Sequence, residues 1–187
     1  VKSKQRWYRR HQLFNHSIQP CLSHWLFDPS SLTARMVALC GKNFSVQLIS
    51  QGWQKLDTEE ASAMALKNAH SALVRQVLLC CSNQPLVYAR TVIPEKTIHG
   101  AQRRYANMGS RPLGAMLFAD RTMRRETVEV SMLPAEHAAN QYTDAGEPIW
   151  GRRSGFRVSG KPLLVSEYFL PELLKYNAAG SGCCQAE

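Results

Sequence analysis

The segment that decides the fold is residues 150–170, WGRRSGFRVSGKPLLVSEYFL. It contains two runs rich in apolar and aromatic residues, Trp150–Val158 and Pro162–Leu170, on either side of Ser159–Gly160–Lys161. Short apolar runs separated by a glycine-containing turn are typical of a β-hairpin. We therefore predict two antiparallel strands in this segment.

Similar patterns occur upstream. Leu73–Cys81 and Leu86–Ile93 flank the turn-forming residues 82–85, while Asn43–Trp53 and Thr122–Met132 alternate apolar and polar side chains. The segments between these strands have helix signals, and we predict helices from Ser30 or Ser31 to Gly41, from Asp57 to Asn68, and two short ones between Gly100 and Asp120. Hairpins with intervening helices favour the α+β class: a single antiparallel sheet of about six strands with helices on one side.

The composition is that of one ordinary globular domain. The 187 residues are 44% hydrophobic, and none of the apolar runs reaches the roughly 18 residues of a membrane span. We predict a basic, disordered leader over 1–19, a domain over 20–176 and a flexible tail over 177–187. The net charge of +9 is compatible with nucleic acid. However, five basic residues lie in the first ten positions, and arginine binds small carboxylates equally well.

The cysteines and histidines predict no metal site. The six histidines form no H-E-x-x-H motif, and the cysteines form no C-x-x-C motif. The N-terminal residues do not resemble a secretory signal, so we expect a cytoplasmic protein with reduced thiols. The cysteines concerned are Cys21, Cys40, Cys80, Cys81, Cys183 and Cys184.

Two charged residues share strand faces with apolar neighbours. Arg75 alternates in phase with Val77 and Leu79, and Glu167 with Val165. Three interpretations are open: the opposite faces form the core, Arg75 and Glu167 form a buried ion pair, or they line a ligand site with a cation at one end and a carboxyl at the other. By contrast, the pattern around Arg124–Arg125 indicates a solvated face.

Four segments resemble the chorismate pyruvate-lyase family. Residues 150–171 are similar to its C-terminal W-G-R-R-S…S-G-K-P-L-L…E-x-F-L-P signature. Residues 74–80, 89–94 and 111–118 resemble the L-R-E-I-L-L-C, R-T-V-x-P and P-L-G-x-x-L-F segments of the family, in the same order. The resemblance covers about residues 25–176.

This resemblance implies an enzyme that splits chorismate into 4-hydroxybenzoate and pyruvate, the first committed step of ubiquinone biosynthesis, without metal or cofactor. It implies a six-stranded antiparallel sheet with helical flaps over a buried site, one of them formed by residues 52–72. It also implies a monomer that binds chorismate and neither binds nucleic acid nor inserts into a membrane.

The resemblance also assigns roles to four residues. Arg75 would bind the ring carboxylate of the substrate, together with the backbone amides of Leu32 and Leu113. Glu167 would lie at the ring hydroxyl. As a mechanistic hypothesis of our own, Arg90 would assist at the enolpyruvyl carboxylate. Arg75 and Glu167 are therefore the predicted catalytic residues.

An alternative function shares the same fold. The effector-binding domains of GntR-type transcription regulators are chorismate lyase-like, and they bind a small molecule without catalysing a reaction. The residues before Trp25 lack helix-turn-helix patterning. We therefore favour the enzyme.

Overall fold

The structure is a computed structural model that describes residues 5–13, 18–67, 71–133, 137–143 and 149–180, with side chains up to 176. The strands are β1 Phe44–Lys55, β2 Ser71–Cys81, β3 Gln84–Pro94, β4 Arg124–Met132, β5 Trp150–Val158 and β6 Lys161–Phe169. The α-helices are α1 Pro20–Leu26, α2 Leu32–Cys40, α3 Thr58–Ala63, α4 Leu113–Phe118 and α5 Pro171–Gly180. Short 3-10 helices span Arg10–Gln12, Gly41–Asn43, Glu95–Thr97, Gly100–Tyr105 and Ala138–Tyr142.

The six strands form one sheet in the order β1-β2-β3-β6-β5-β4. Each pair of neighbouring strands is antiparallel. The predicted α+β class, with a single antiparallel sheet of about six strands, is therefore confirmed. None of the helices within the described ranges has the length and apolar content to cross a lipid bilayer.

Both hairpins have tighter turns than we predicted. Ser82 and Asn83 have φ values of +50° and +67°, and Ser159 and Gly160 have +50° and +75°. Positive φ at both central residues is typical of two-residue type I′ turns, whose twist matches that of the flanking strands. Lys161 therefore begins β6 instead of extending the turn.

One face of the sheet is covered by α1, α2, α4 and α5. Helix α2 begins where predicted, since the Ser31 Oγ accepts a hydrogen bond from the Ala34 N–H at 3.3 Å. It buries Leu32 and Met36 and ends at Gly41, whose φ is +54°. We call this side of the sheet the cavity face.

The opposite face is covered as well, which corrects the predicted flap over residues 52–72. Helix α3 lies on this opposite face, where the buried Leu56, Ala61 and Met64 pack against Val74 and Leu164 of the sheet. Apolar residues on both sides of β2 and β6 make each face a packing surface. The helix also ends at Ala63, earlier than expected, and residues 68–70 lie outside the described ranges.

Part of the predicted leader contacts the sheet edge. Tyr8 exchanges two backbone hydrogen bonds of 2.8 Å with Val130 of β4, and Trp7 lies under the Arg153 guanidinium at 4.5 Å. At the other end, α5 continues past the predicted boundary at 176. Residues 1–4, 14–17 and 181–187 lie outside the described ranges.

The prediction of reduced thiols is wrong for at least three cysteines. Cys40, at the end of α2, forms a disulfide with Cys81 at the end of β2, and Cys21 is also disulfide-bonded. The adjacent Cys80 is free and buried on the opposite face, because side chains alternate along β2. The cysteines therefore no longer support a cytoplasmic location, which stays a prediction.

Candidate active site

A cavity lies between the cavity face and the helices α2 and α4. Its walls include charged residues from four strands and apolar residues from the two helices. The charged residues are Arg75 on β2, Arg125 on β4, Arg152 on β5 and Glu167 on β6. The helices and the loop before α2 contribute Ser30, Leu32, Thr33, Leu113, Gly114 and Leu117. The structure thus brings four of the five predicted site residues to one cavity: Arg75, Glu167, Leu32 and Leu113.

Arg75 is a buried cation without an acidic partner among the described residues. Only 2% of its surface is exposed. Its Nη1 donates to the Gly109 carbonyl at 2.6 Å and to the Gln51 Oε1 at 3.2 Å, and its Nη2 donates to the Arg111 carbonyl at 3.3 Å. Burial lowers the pKa of the guanidinium. Because all three acceptors are neutral, the positive charge of Arg75 remains available for an anionic ligand.

Glu167 forms an ion pair with Arg152 and none with Arg75. The Arg152 Nε donates to the Glu167 Oε2 at 2.5 Å, and its Nη1 donates to the carbonyls of Trp25 and Asp28 at 2.8 and 2.9 Å. Arg152 is only 1% exposed. Of the three interpretations of Arg75 and Glu167, the direct ion pair is therefore wrong, and both residues line the cavity.

Arg125 corrects the predicted solvated face at Arg124–Arg125. Its guanidinium lines the cavity, donating to the Ser154 Oγ at 2.8 Å from Nη2 and to the Pro29 carbonyl at 3.0 Å from Nη1. Burial and the nearby Arg152 charge lower the pKa of Arg125. The register of β4 against β5 shifts between Arg125 and Val128, and such a bulge changes the face to which a side chain points.

Arg90 does not reach the cavity. It lies on β3 between Ala89 and Thr91, which both line the cavity, so its side chain points to the opposite face. There its Nε and Nη2 donate to the two carboxylate oxygens of Glu60 at 2.7 and 3.2 Å. Although burial lowers it, these hydrogen bonds raise the pKa of Arg90 above its ordinary value. The predicted contact with a substrate carboxylate is therefore wrong for this residue.

Leu32 and Leu113 lie at the first positions of α2 and α4 and line the cavity. Amides in the first turn of a helix have no carbonyl partner within the helix. The N–H groups of Leu32 and Leu113 therefore have no partner within their helices, and the main-chain contacts expected of them stay a prediction.

The helices α2 and α4, which roof the cavity, touch at Gly114. A Cβ atom at this position would collide with the Thr33 Oγ1 and lie 3.1 Å from the Thr33 Cβ. We expect Gly114→Ala to destabilise the fold by about 1–3 kcal/mol, because overpacking forces the helices apart, and to weaken ligand binding. Denaturant unfolding measures the first effect and titration with 4-hydroxybenzoate the second.

The control for this prediction is Gly52→Ala, since a Cβ at Gly52 has no atom within 4 Å. Thr33→Ala combined with Gly114→Ala removes the colliding hydroxyl and should recover part of the loss. Equal stability of the two glycine variants would show that the roof tolerates the extra methyl group.

The sequence reasoning missed Arg125 and Arg152. Arg152 could have been found from the hairpin, because a two-residue turn at Ser159–Gly160 pairs Val158 with Lys161 and hence Arg152 with Glu167. The predicted three-residue turn does not give this register. No comparable signal in the sequence marks the bulge that turns Arg125 inward. Within the described ranges, no three His, Cys, Asp or Glu side chains are grouped to hold a metal ion.

A family model and two relatives match most of the chain. Residues 1–179 match the family model described as chorismate lyase, a longer range than the resemblance over residues 25–176. A protein of Methylococcus capsulatus named "Probable chorismate pyruvate-lyase" is 42% identical over 156 residues, covering 82% of this chain and 96% of the relative. A protein of Pseudomonas aeruginosa with the same name is 36% identical over 173 residues, covering 92% and 95%.

A solved structure shares the fold at low identity. A GntR-family transcriptional regulator from Bacillus cereus has a TM-score of 0.54 and 13% identity, covering 70% of this chain and 94% of that one. This likeness concerns the fold alone. With the family match along residues 1–179 and relatives at 36–42% identity, the chain belongs to the chorismate lyase family.

Proposed function

We propose that the protein is a chorismate pyruvate-lyase, which eliminates pyruvate from chorismate to leave 4-hydroxybenzoate. The observation that carries the proposal is the charge of the cavity. Three guanidinium groups face it against one carboxylate, and Glu167 is paired with Arg152. The remaining excess of two positive charges matches chorismate, which has two carboxylates. Such a match favours a dianion over neutral and monoanionic ligands.

In the proposed orientation, Arg75 binds the ring carboxylate of chorismate. Guanidinium groups bind carboxylates through two parallel hydrogen bonds, and the amides of Leu32 and Leu113 add neutral donors. Glu167 accepts a hydrogen bond from the ring hydroxyl. Strands β2 and β6 are separated by β3, so Arg75 and Glu167 start about 10 Å apart across the sheet. Their side chains leave room for a ring between them.

The proposed reaction breaks the ether bond between the ring and the enolpyruvyl group. The neighbouring ring carbon, which bears the hydroxyl, loses its hydrogen as a proton, and the electrons of that C–H bond make the ring aromatic as the ether C–O bond breaks. The enolpyruvyl group leaves as the enolate of pyruvate, which takes up one proton to give pyruvate. Because aromatisation makes the reaction favourable, the protein chiefly has to orient the dianion and exclude water. In this proposal Glu167 accepts the departing proton, although transfer of the hydrogen within the substrate would need no protein group.

The finer parts of the proposal follow the family resemblance. The reaction would need no metal or cofactor, would take place in the cytoplasm on a monomeric protein, and would supply 4-hydroxybenzoate as the first committed step of ubiquinone biosynthesis.

The test is to incubate the purified protein with chorismate in the presence of EDTA and to quantify 4-hydroxybenzoate and pyruvate separately. We expect the two products in equimolar amounts. If the protein binds 4-hydroxybenzoate and forms neither product, the function is that of a small-molecule sensor, as in the effector-binding domains with the same fold. Turnover that is lost in EDTA and restored by a divalent cation would contradict the cofactor-independent reaction.

A further inference from the structure

The cavity contains one cation, Arg125, that takes no part in the proposed binding of the ring carboxylate. Of its three arginines, Arg152 is ion-paired with Glu167, and Arg75 is taken by the ring carboxylate in the proposed orientation. Arg125 remains. Its guanidinium donates four hydrogen bonds to neutral oxygen atoms: two to the Ser154 Oγ and one each to the carbonyls of Asp28 and Pro29. In the described part of the chain, no carboxylate forms a salt bridge with Arg125.

The position of Arg125 along the sheet indicates which part of a substrate it meets. The charged residues follow the strand order β2, β6, β5 and β4, so Arg75 lies at one end and Arg125 at the other, with Glu167 between them. When the ring carboxylate lies at Arg75 and the hydroxyl faces Glu167, the ring carbon next to the hydroxyl-bearing one also lies at the Glu167 end, and a flexible substituent on it can extend toward Arg125. In chorismate, that substituent is the enolpyruvyl ether, which ends in the second carboxylate.

We infer that Arg125 binds the enolpyruvyl carboxylate of the substrate and thereby selects a dianionic ring acid over a monoanionic one. This inference rests on the proposed function and gives Arg125 the role that the sequence had assigned to Arg90. Arg125 acts on the half of the substrate that leaves as pyruvate. It therefore contributes to the binding of chorismate and not to that of 4-hydroxybenzoate, which has no second carboxylate.

A purely structural role for Arg125 makes a different prediction. The same guanidinium clamps the carbonyls of Asp28 and Pro29, directly before α2, and the Asp28 carbonyl also accepts from Arg152. If the clamp were its only function, its loss would displace the start of α2. Binding of the ring carboxylate would then weaken as much as binding of the whole substrate. The two roles are separated by comparing a dianion with a monoanion.

The experiment compares Arg125→Gln and Arg125→Lys with the wild type and with Arg124→Met, which removes the exposed neighbouring cation outside the cavity. For each protein, the dissociation constant of 4-hydroxybenzoate and kcat/KM for chorismate are measured. We expect Arg125→Gln to lower kcat/KM about 100-fold, since truncating a buried charge pair has effects of this size, and to change 4-hydroxybenzoate affinity less than threefold. Arg125→Lys, which keeps the charge, should recover about tenfold in kcat/KM.

Arg124→Met should match the wild type in both measurements. Equal losses for chorismate and 4-hydroxybenzoate in Arg125→Gln would overturn the inference in favour of the clamp, and so would the absence of any loss. If the wild type binds chorismate without converting it, the proposed function fails. In that case, the chorismate affinities of the same variants still decide the role of Arg125. If Arg125→Gln does not fold, unequal effects of Arg125→Lys on the two ligands support the inference, and equal effects overturn it.

Discussion

Replacing Arg75 by Met is expected to abolish measurable binding of 4-hydroxybenzoate and to lower kcat/KM for chorismate by about 10²- to 10³-fold. Removing one partner of a buried, hydrogen-bonded charge pair costs about 2–5 kcal/mol, and Arg75 is only 2% exposed. In contrast to Arg125→Gln, both ligands should be affected, because both carry the ring carboxylate. Calorimetric titration and steady-state kinetics measure the two effects.

Two controls separate the charge of Arg75 from its contacts with the protein. Gln51→Met removes one acceptor of Arg75 and the hydrogen bond that Gln51 donates to the Ala106 carbonyl at 2.7 Å, but it leaves the cation in place. Arg111→Met removes an exposed cation nearby and keeps the Arg111 carbonyl that accepts from Arg75. Both controls should retain most of the activity. Near-normal turnover in Arg75→Met would remove this residue from the proposed site.

Replacing Glu167 by Gln should impair both turnover and stability. If Glu167 accepts the proton that leaves the ring, kcat should fall by about 10²- to 10⁴-fold, the usual contribution of a general base. The variant also leaves the Arg152 guanidinium buried without its carboxylate, and breaking a buried ion pair in this way destabilises proteins by about 3–5 kcal/mol. Single-turnover kinetics and denaturant unfolding measure the two quantities independently.

The matched control is Glu129→Gln. Glu129 accepts from the Arg153 Nε at 2.7 Å, in an ion pair between β4 and β5 that does not line the cavity. The Glu129→Gln variant should leave kcat unchanged. A decrease in kcat of less than about tenfold in Glu167→Gln would contradict proton transfer to this residue. It would favour hydrogen transfer within the substrate, with Glu167 positioning the hydroxyl and balancing Arg152.

Much of the fold can be predicted from local patterns. Alternation located the strands, the hairpin around Gly160 set their antiparallel pairing, and Ser31 marked the start of α2. Alternation also put Arg75 and Glu167 on apolar faces, and those faces proved to be the same side of the sheet. Strand faces are predictable because side chains alternate strictly wherever no bulge intervenes.

Long-range placement is less accessible from the sequence. A bulge in β4 turns the Arg125 side chain toward the cavity. Alternation along β3 places the Arg90 side chain on the opposite face, next to Glu60, although residues 89–94 resemble the family motif. The disulfide between Cys40 and Cys81 joins residues 41 positions apart. The Arg90–Glu60 ion pair and this disulfide depend on contacts between distant segments, and no local periodicity encodes such contacts.

The most direct test of the proposed site is a crystal structure of the protein with 4-hydroxybenzoate bound. We expect the carboxylate of the ligand within hydrogen-bond distance of the Arg75 guanidinium and of the amides of Leu32 and Leu113, with its hydroxyl at Glu167. The part of the cavity next to Arg125 should contain no atom of 4-hydroxybenzoate, because the enolpyruvyl group of chorismate would bind there. A ligand bound in the reverse orientation, or outside this cavity, would contradict the proposed assignment of the site.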